Sequence, residues 1–107
     1  MFDSFDALSL DAAILSALKQ EGYTRPTEVQ SAAIPHALAG KDVLAIAPTG
    51  TGKTAAFTLP IIQNLSKGQH GGIRALILAP TRELALQVEE ALRTYGRNFR
   101  LRSGVIM

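Results

Sequence analysis

The run APTGTGKTAAF, residues 47–57, places Gly50 and Gly52 immediately before Lys53 and Thr54. These residue types could wrap a chain of phosphates. Two glycines open backbone angles that side chains forbid, so several main-chain N–H groups can converge on one anion. A helix starting at Lys53 adds its positive N-terminal end. Lys53 would carry a full charge to the β- and γ-phosphates, and the Thr54 hydroxyl could ligate Mg²⁺ through the nucleotide. The usual spacing is G-x-x-x-x-G-K-[ST], and Ala47 stands where the first glycine would be. A methyl group fits there if the backbone φ is negative. An ordinary strand-to-helix turn would explain the glycines but neither Lys53 nor Thr54.

Gln30, in GYTRPTEVQ, is the second candidate. Its amide offers a donor and an acceptor side by side, which matches adenine N6 and N7 and rejects guanine. It also follows Thr27 by three positions, the spacing of a helix capping box. Spacing alone does not choose between these two jobs. Metal binding by protein ligands is disfavoured, since there is no cysteine and His36 and His70 lie far apart in sequence.

The elements that must position these residues can be read from pattern. Ser9 can cap a helix to about Gln20, with Leu10, Ile14 and Leu18 on one stripe. Thr27 opens a second helix, TEVQSAAIPHALAG, which Pro35 should kink or split. DVLAIAP then reads as a short buried strand leading into the glycine loop. A helix follows over about 53–66, with Pro60 expected to bend it. SKGQHGG is a turn-rich connection, IRALILAP a second strand, and TRELALQVEEALRTYG a helix capped by Thr81. RLRSGVIM begins a third strand. Strands alternating with helices predict an α/β fold with a parallel sheet and flanking helices.

The 107 residues allow one small domain. An apolar fraction of 47% argues against wholesale disorder. No apolar run approaches a membrane span, and the acidic N-terminus does not resemble a signal peptide, so the expected location is cytoplasmic. Charge is uneven: residues 1–40 carry net −3 and residues 41–107 net +5. Arg93, Arg97, Arg100 and Arg102 follow one another without an intervening acid. Such a surface could meet nucleic-acid phosphates, but charge alone favours a solvated helix end and an exposed strand.

The segment with Gly22, Tyr23, Pro26, Thr27 and Gln30 resembles the glutamine motif of the DEAD-box RNA helicases, and Phe5 stands where that family has an isolated upstream aromatic. APTGTGKT is similar to the family's phosphate loop, A-x-T-G-x-G-K-T, so Ala47 is a family trait. PTRELA, residues 80–85, resembles the next motif. The resemblance implies that Gln30 reads the adenine edge, with Phe5 on or near the ring and Arg25 and Thr27 close by. It implies that Thr49, Gly50, Thr51, Gly52, Lys53 and Thr54 hold the phosphates of ATP or ADP and Mg²⁺, Lys53 and Thr54 being the catalytic members. Pro80, Thr81 and Arg82 would touch the RNA backbone. Thr81 caps a helix whose amides can bind a phosphate, and Arg82 adds charge; without the resemblance, Arg82 and Glu83 read as a surface pair.

In these terms residues 1–40 are N-terminal helices with the glutamine motif. Residues 41–107 are the first part of a RecA-like P-loop NTPase domain, truncated after about three strands. The family's D-E-A-D segment, its S-A-T motif and its second domain are not in this sequence. Phosphoryl transfer needs a carboxylate near the metal and a positioned water. The expectation is therefore weak nucleotide binding without hydrolysis. The strand before the phosphate loop would lack neighbours and expose two edges, through which two copies could pair. Rival readings are a different phosphate-loop protein, such as a small kinase or transport ATPase, and a non-catalytic assembly fragment.

Overall fold

The computed structural model describes all residues except Gln69 and His70. The imidazole candidate His70 and the centre of the SKGQHGG turn thus lie outside the described residues. The described elements are a 3-10 turn at Phe5–Leu8 and four α-helices: α1 (Ala12–Gln20), α2 (Glu28–Leu38), α3 (Lys53–Ser66) and α4 (Arg82–Tyr95). None of the helices is long and apolar enough to cross a membrane.

Local chemistry accounts for most of the boundaries. Thr27 and Gln30 form the expected capping box: the Thr27 hydroxyl accepts from Gln30 N at 3.3 Å, and Gln30 Oε1 accepts from Thr27 N at 2.9 Å. Helices α2 and α3 run unbroken through Pro35 and Pro60. The Ser9 cap, by contrast, is not formed. Ser9 sits at φ 61°, closing the 3-10 turn, and α1 starts after Asp11. A residue in the left-handed region cannot take the extended conformation that an N-cap needs.

Thr81 accepts from Leu84 N at 3.1 Å and starts α4 where expected. Removing that acceptor leaves a first-turn donor to water. Thr81→Ala is expected to cost about 1 kcal/mol, read as a drop of several degrees in the thermal midpoint.

The core gathers Phe5, Leu8, Leu10, Ile14, Leu18, Ile34, Ala55, Leu59 and Ile62, with Leu92, Tyr95, Phe99 and Leu101 packed against it. Four pieces of chain thus share one apolar centre. At the far end of α4, Arg97 donates to Glu21 at 2.7 Å and to Gln20 Oε1 at 2.6 Å. Arg93 pairs with Glu89 at 3.3 Å. Half of the arginine run is therefore held by ion pairs. Tyr95 meets Tyr23 edge-on at 6.4 Å, and burial first, then Tyr23 and Glu21, raises its phenol above the ordinary value.

The expected α/β fold is corrected here. Among the described residues there is no strand, so neither a parallel sheet nor its crossovers are present. Residues 42–48, 73–79 and 101–107 are rich in strand formers but have no regular structure. No backbone-to-backbone hydrogen bond among the described residues begins or ends in them. Leu44, Ile46, Ile73, Leu76, Leu78 and Ile106 are all more than 80% exposed. The physical reason is that a strand is made by its ladder. Branched side chains suit a pleated surface, but the main chain must find another backbone about 4.8 Å away. The RecA-like sheet expected from the resemblance is likewise not formed among the described residues.

Candidate functional site

The phosphate-loop candidates lie in an exposed turn between the irregular residues 42–48 and α3. Gly50 and Gly52 adopt φ 84° and φ 87°, angles at which a side chain is strained. Thr51 Oγ1 donates to Pro48 O at 2.7 Å and closes the turn. Gly52 is the N-cap of α3, and no side chain caps that helix. The N–H groups of a first helical turn have no intrahelical partners. Those of α3 open onto the turn, with Lys53 exposed beside them. Thr54 is half-buried, and its carbonyl accepts from Thr58 Oγ1 at 2.8 Å.

Gln30 joins this turn. Its side chain is buried, and Nε2 donates to Gly52 O at 3.2 Å. The same oxygen accepts from Ala56 N at 3.1 Å, the first hydrogen bond of α3. The two jobs read for Gln30 thus meet a third: it closes the capping box and also fastens α2 to the phosphate turn. One N–H and one lone pair of the amide remain for a ligand. A Cβ at Gly52 would collide with Gln30 Nε2 and stand 3.2 Å from Gln30 Cδ and Thr27 Oγ1. Gly52 therefore has to be a glycine for packing as well as for its angle.

The other candidates are placed as follows. Phe5 is 4% exposed, with its ring in the core, while its N–H donates to Thr24 O at 3.2 Å. Arg25 is exposed and lies 3.7 Å from Asp3. Thr27 borders both Gln30 and Gly52. Thr49 and Gly50 are open to solvent. Pro80, Thr81 and Arg82 are exposed at the start of α4, which packs on α3, and no ion pair joins Arg82 to Glu83 among the described residues. No cluster of three metal-ligating side chains occurs among the described residues.

A cleft of about 760 Å³ opens between α2 and residues 41–51, lined by Val29, Ala33, His36, Val43 and Ala45 among others. Its size would suit a small ligand. Thr27, Pro48 and Thr51 line it as well, whereas Gln30, Gly50, Gly52, Lys53 and Thr54 do not, so the cleft reaches one side of the glycine turn.

Gln63 is a residue that the sequence reading passed over. It is buried, four positions after Leu59 on the apolar stripe of α3, and bonded to the N-terminal segment. A polar residue in register with buried apolar neighbours was the available signal.

Comparison with known proteins gives a consistent result. Residues 27–107 match the family model described as DEAD/DEAH box helicase. The chain is 52% identical over 101 residues to the ATP-dependent RNA helicase SrmB of Escherichia coli, covering 92% of this chain and 23% of that protein. Among solved structures it is similar to the RNA helicase Prp28 from Chaetomium thermophilum bound to ADP, with TM-score 0.83 and 41% identity, over 90% of this chain and 24% of that one. It is also similar to Dbp5 of S. cerevisiae bound to RNA and ADP BeF3, with TM-score 0.82 and 33% identity, over 90% and 25%. The chain spans less than a quarter of the length of the curated relatives it matches.

Proposed function

The chain belongs to the DEAD/DEAH box helicase family, and on that premise we propose that it binds ATP or ADP with Mg²⁺ in the turn between Pro48 and Thr54. One observation carries the reading: an uncapped helix start, entered through two left-handed glycines, with an exposed lysine at its first position. Backbone amides of Thr49, Gly50, Thr51 and Gly52 would surround the phosphates. Lys53 would supply charge, and the Thr54 hydroxyl would ligate Mg²⁺ held by the nucleotide. Gln30 would read the adenine edge with the hydrogen-bonding capacity left over from Thr27 and Gly52, while Arg25, Thr27 and Phe5 shape the base end. The ADP bound in Prp28 supports the ligand class.

RNA contact is the second part of the reading. Pro80, Thr81 and Arg82 would meet phosphates at the N-terminus of α4, without reading base sequence. The RNA in the Dbp5 structure and the name of SrmB support this. ATP-driven remodelling of RNA would belong to the longer polypeptides of the family. A cytoplasmic location goes with the reading.

Base selectivity tests it. The unmodified chain should bind ADP at least about tenfold more tightly than GDP by calorimetry, a difference of about 1.4 kcal/mol. Gln30→Ala should bring the two affinities together and lower the melting temperature as well, since it removes the capping box and the Gly52 contact. Equal affinity for both bases in the unmodified chain would overturn the assignment of the adenine reader.

A further inference from the structure

We propose that Gln63, remote from the phosphate turn, is a positioning residue for the loop that would read adenine. The inference rests on the nucleotide reading above. Gln63 lies ten residues after Lys53 on the same helix, about 15 Å along its axis. Its side chain is 4% exposed, and both ends of the amide are used. Oε1 accepts from Asp11 N at 2.8 Å, and Nε2 donates to Ser9 O at 3.0 Å. Both partners are main-chain groups more than fifty positions earlier.

These two bonds fix a strained point. Ser9 holds φ 61°, which a residue with a side chain keeps only where its surroundings demand it. Asp11 is the N-cap of α1 and makes no side-chain cap bond. Leu10, between them, is buried in the core. Gln63 therefore decides where the N-terminal 3-10 turn ends and α1 begins.

The turn in turn holds the base loop. Phe5 N donates to Thr24 O at 3.2 Å, Phe2 N donates to Ser31 Oγ at 3.4 Å, and Asp3 faces Arg25. Thr24 and Arg25 lead through the buried Pro26 to Thr27 and Gln30. Gln30 returns to Gly52, where α3 starts. The contacts form a closed ring: phosphate turn, α3, Gln63, the N-terminal turn, the glutamine loop, and the phosphate turn again. One helix thus sets both ends of the site, the phosphate end by its first turn and the base end by Gln63.

Two substitutions test this on the whole chain. Gln63→Leu keeps the volume and removes both bonds, leaving two main-chain groups unpaired. Gln63→Glu keeps the acceptor for Asp11 but sets a buried carboxylate oxygen against the Ser9 carbonyl. Without nucleotide, amide exchange over residues 22–30 should quicken by about threefold or more in Gln63→Leu, and at least as much in Gln63→Glu. The ratio of ADP to GDP affinity should fall about three- to tenfold in Gln63→Leu, with pyrophosphate affinity changed less than about twofold. A purely structural role would lower the melting temperature and leave that ratio alone. Faster exchange confined to residues 5–11, or an unchanged ratio in a folded variant, would overturn the proposal. If Gln63→Leu does not fold, Gln63→Met, unbranched like the glutamine and without a charge, carries both readouts. Exchange that responds in a chain unable to tell ADP from GDP would sink the nucleotide reading and leave the mechanical linkage standing.

Discussion

Lys53→Ala is expected to weaken magnesium–ADP binding by about 2–3 kcal/mol, a loss of roughly 30- to 150-fold. Lys53 is exposed at the first position of α3 and makes no ion pair among the described residues. Its removal therefore takes a cation from the turn while leaving the packing intact. The melting temperature should stay within about a degree or two, because surface substitutions away from caps and buried groups change stability by about 0.5 kcal/mol or less. The same loss should appear with GDP, since the charge acts on phosphate and not on base. Calorimetric titration checks both statements. An unaltered affinity would move the ligand away from the turn.

Gly52→Ala should damage folding and binding together. The φ of 87° lies in a region that costs an alanine about 1–2 kcal/mol. The added methyl also meets the Gln30 amide and the Thr27 hydroxyl. The amide must leave its pocket or the turn must move, and either change opens the contact to Gly52 O. A total loss of about 2–4 kcal/mol is expected, read as a lower denaturant midpoint, with ADP affinity reduced at least about tenfold. The double variant Gly52→Ala/Gln30→Ala separates the causes. Cutting back the glutamine removes the collision but not the backbone strain. The double variant should therefore be more stable than the sum of the two single losses implies, by about 1 kcal/mol. Strict additivity would mean that the two residues do not press on each other.

The sequence made local chemistry legible. Thr27 with Gln30, Thr81, and the start of α3 after two glycines are short-range signals, each complete within about four residues, and all three hold. Ser9 misled because serine suits a helix start and also tolerates a turn; the outcome depended on Gln63, more than fifty positions away. The apolar runs over 42–48, 73–79 and 101–107 failed for a related reason. Composition states that a segment can join a sheet, whereas joining requires a second backbone at a set distance, which the described residues do not provide. At the site, the residue types were visible from spacing. The contact between Gln30 and Gly52 was not, because the capping box already explained the glutamine.

Helices α2 and α3 share one further trait. Pro35 follows the first residue of α2 by seven positions, and Pro60 follows the first residue of α3 by seven. Each proline deletes one rung from the helical ladder two turns in, at the carbonyls of Ser31 and Ala56. The leading segments, one bearing Gln30 and the other Lys53 and Thr54, are bolted together by the Gly52 oxygen. Each leading segment is thereby tied to its trailing half by one hydrogen bond fewer, and the Gly52 contact ties the two leading segments to each other across the gap between helices.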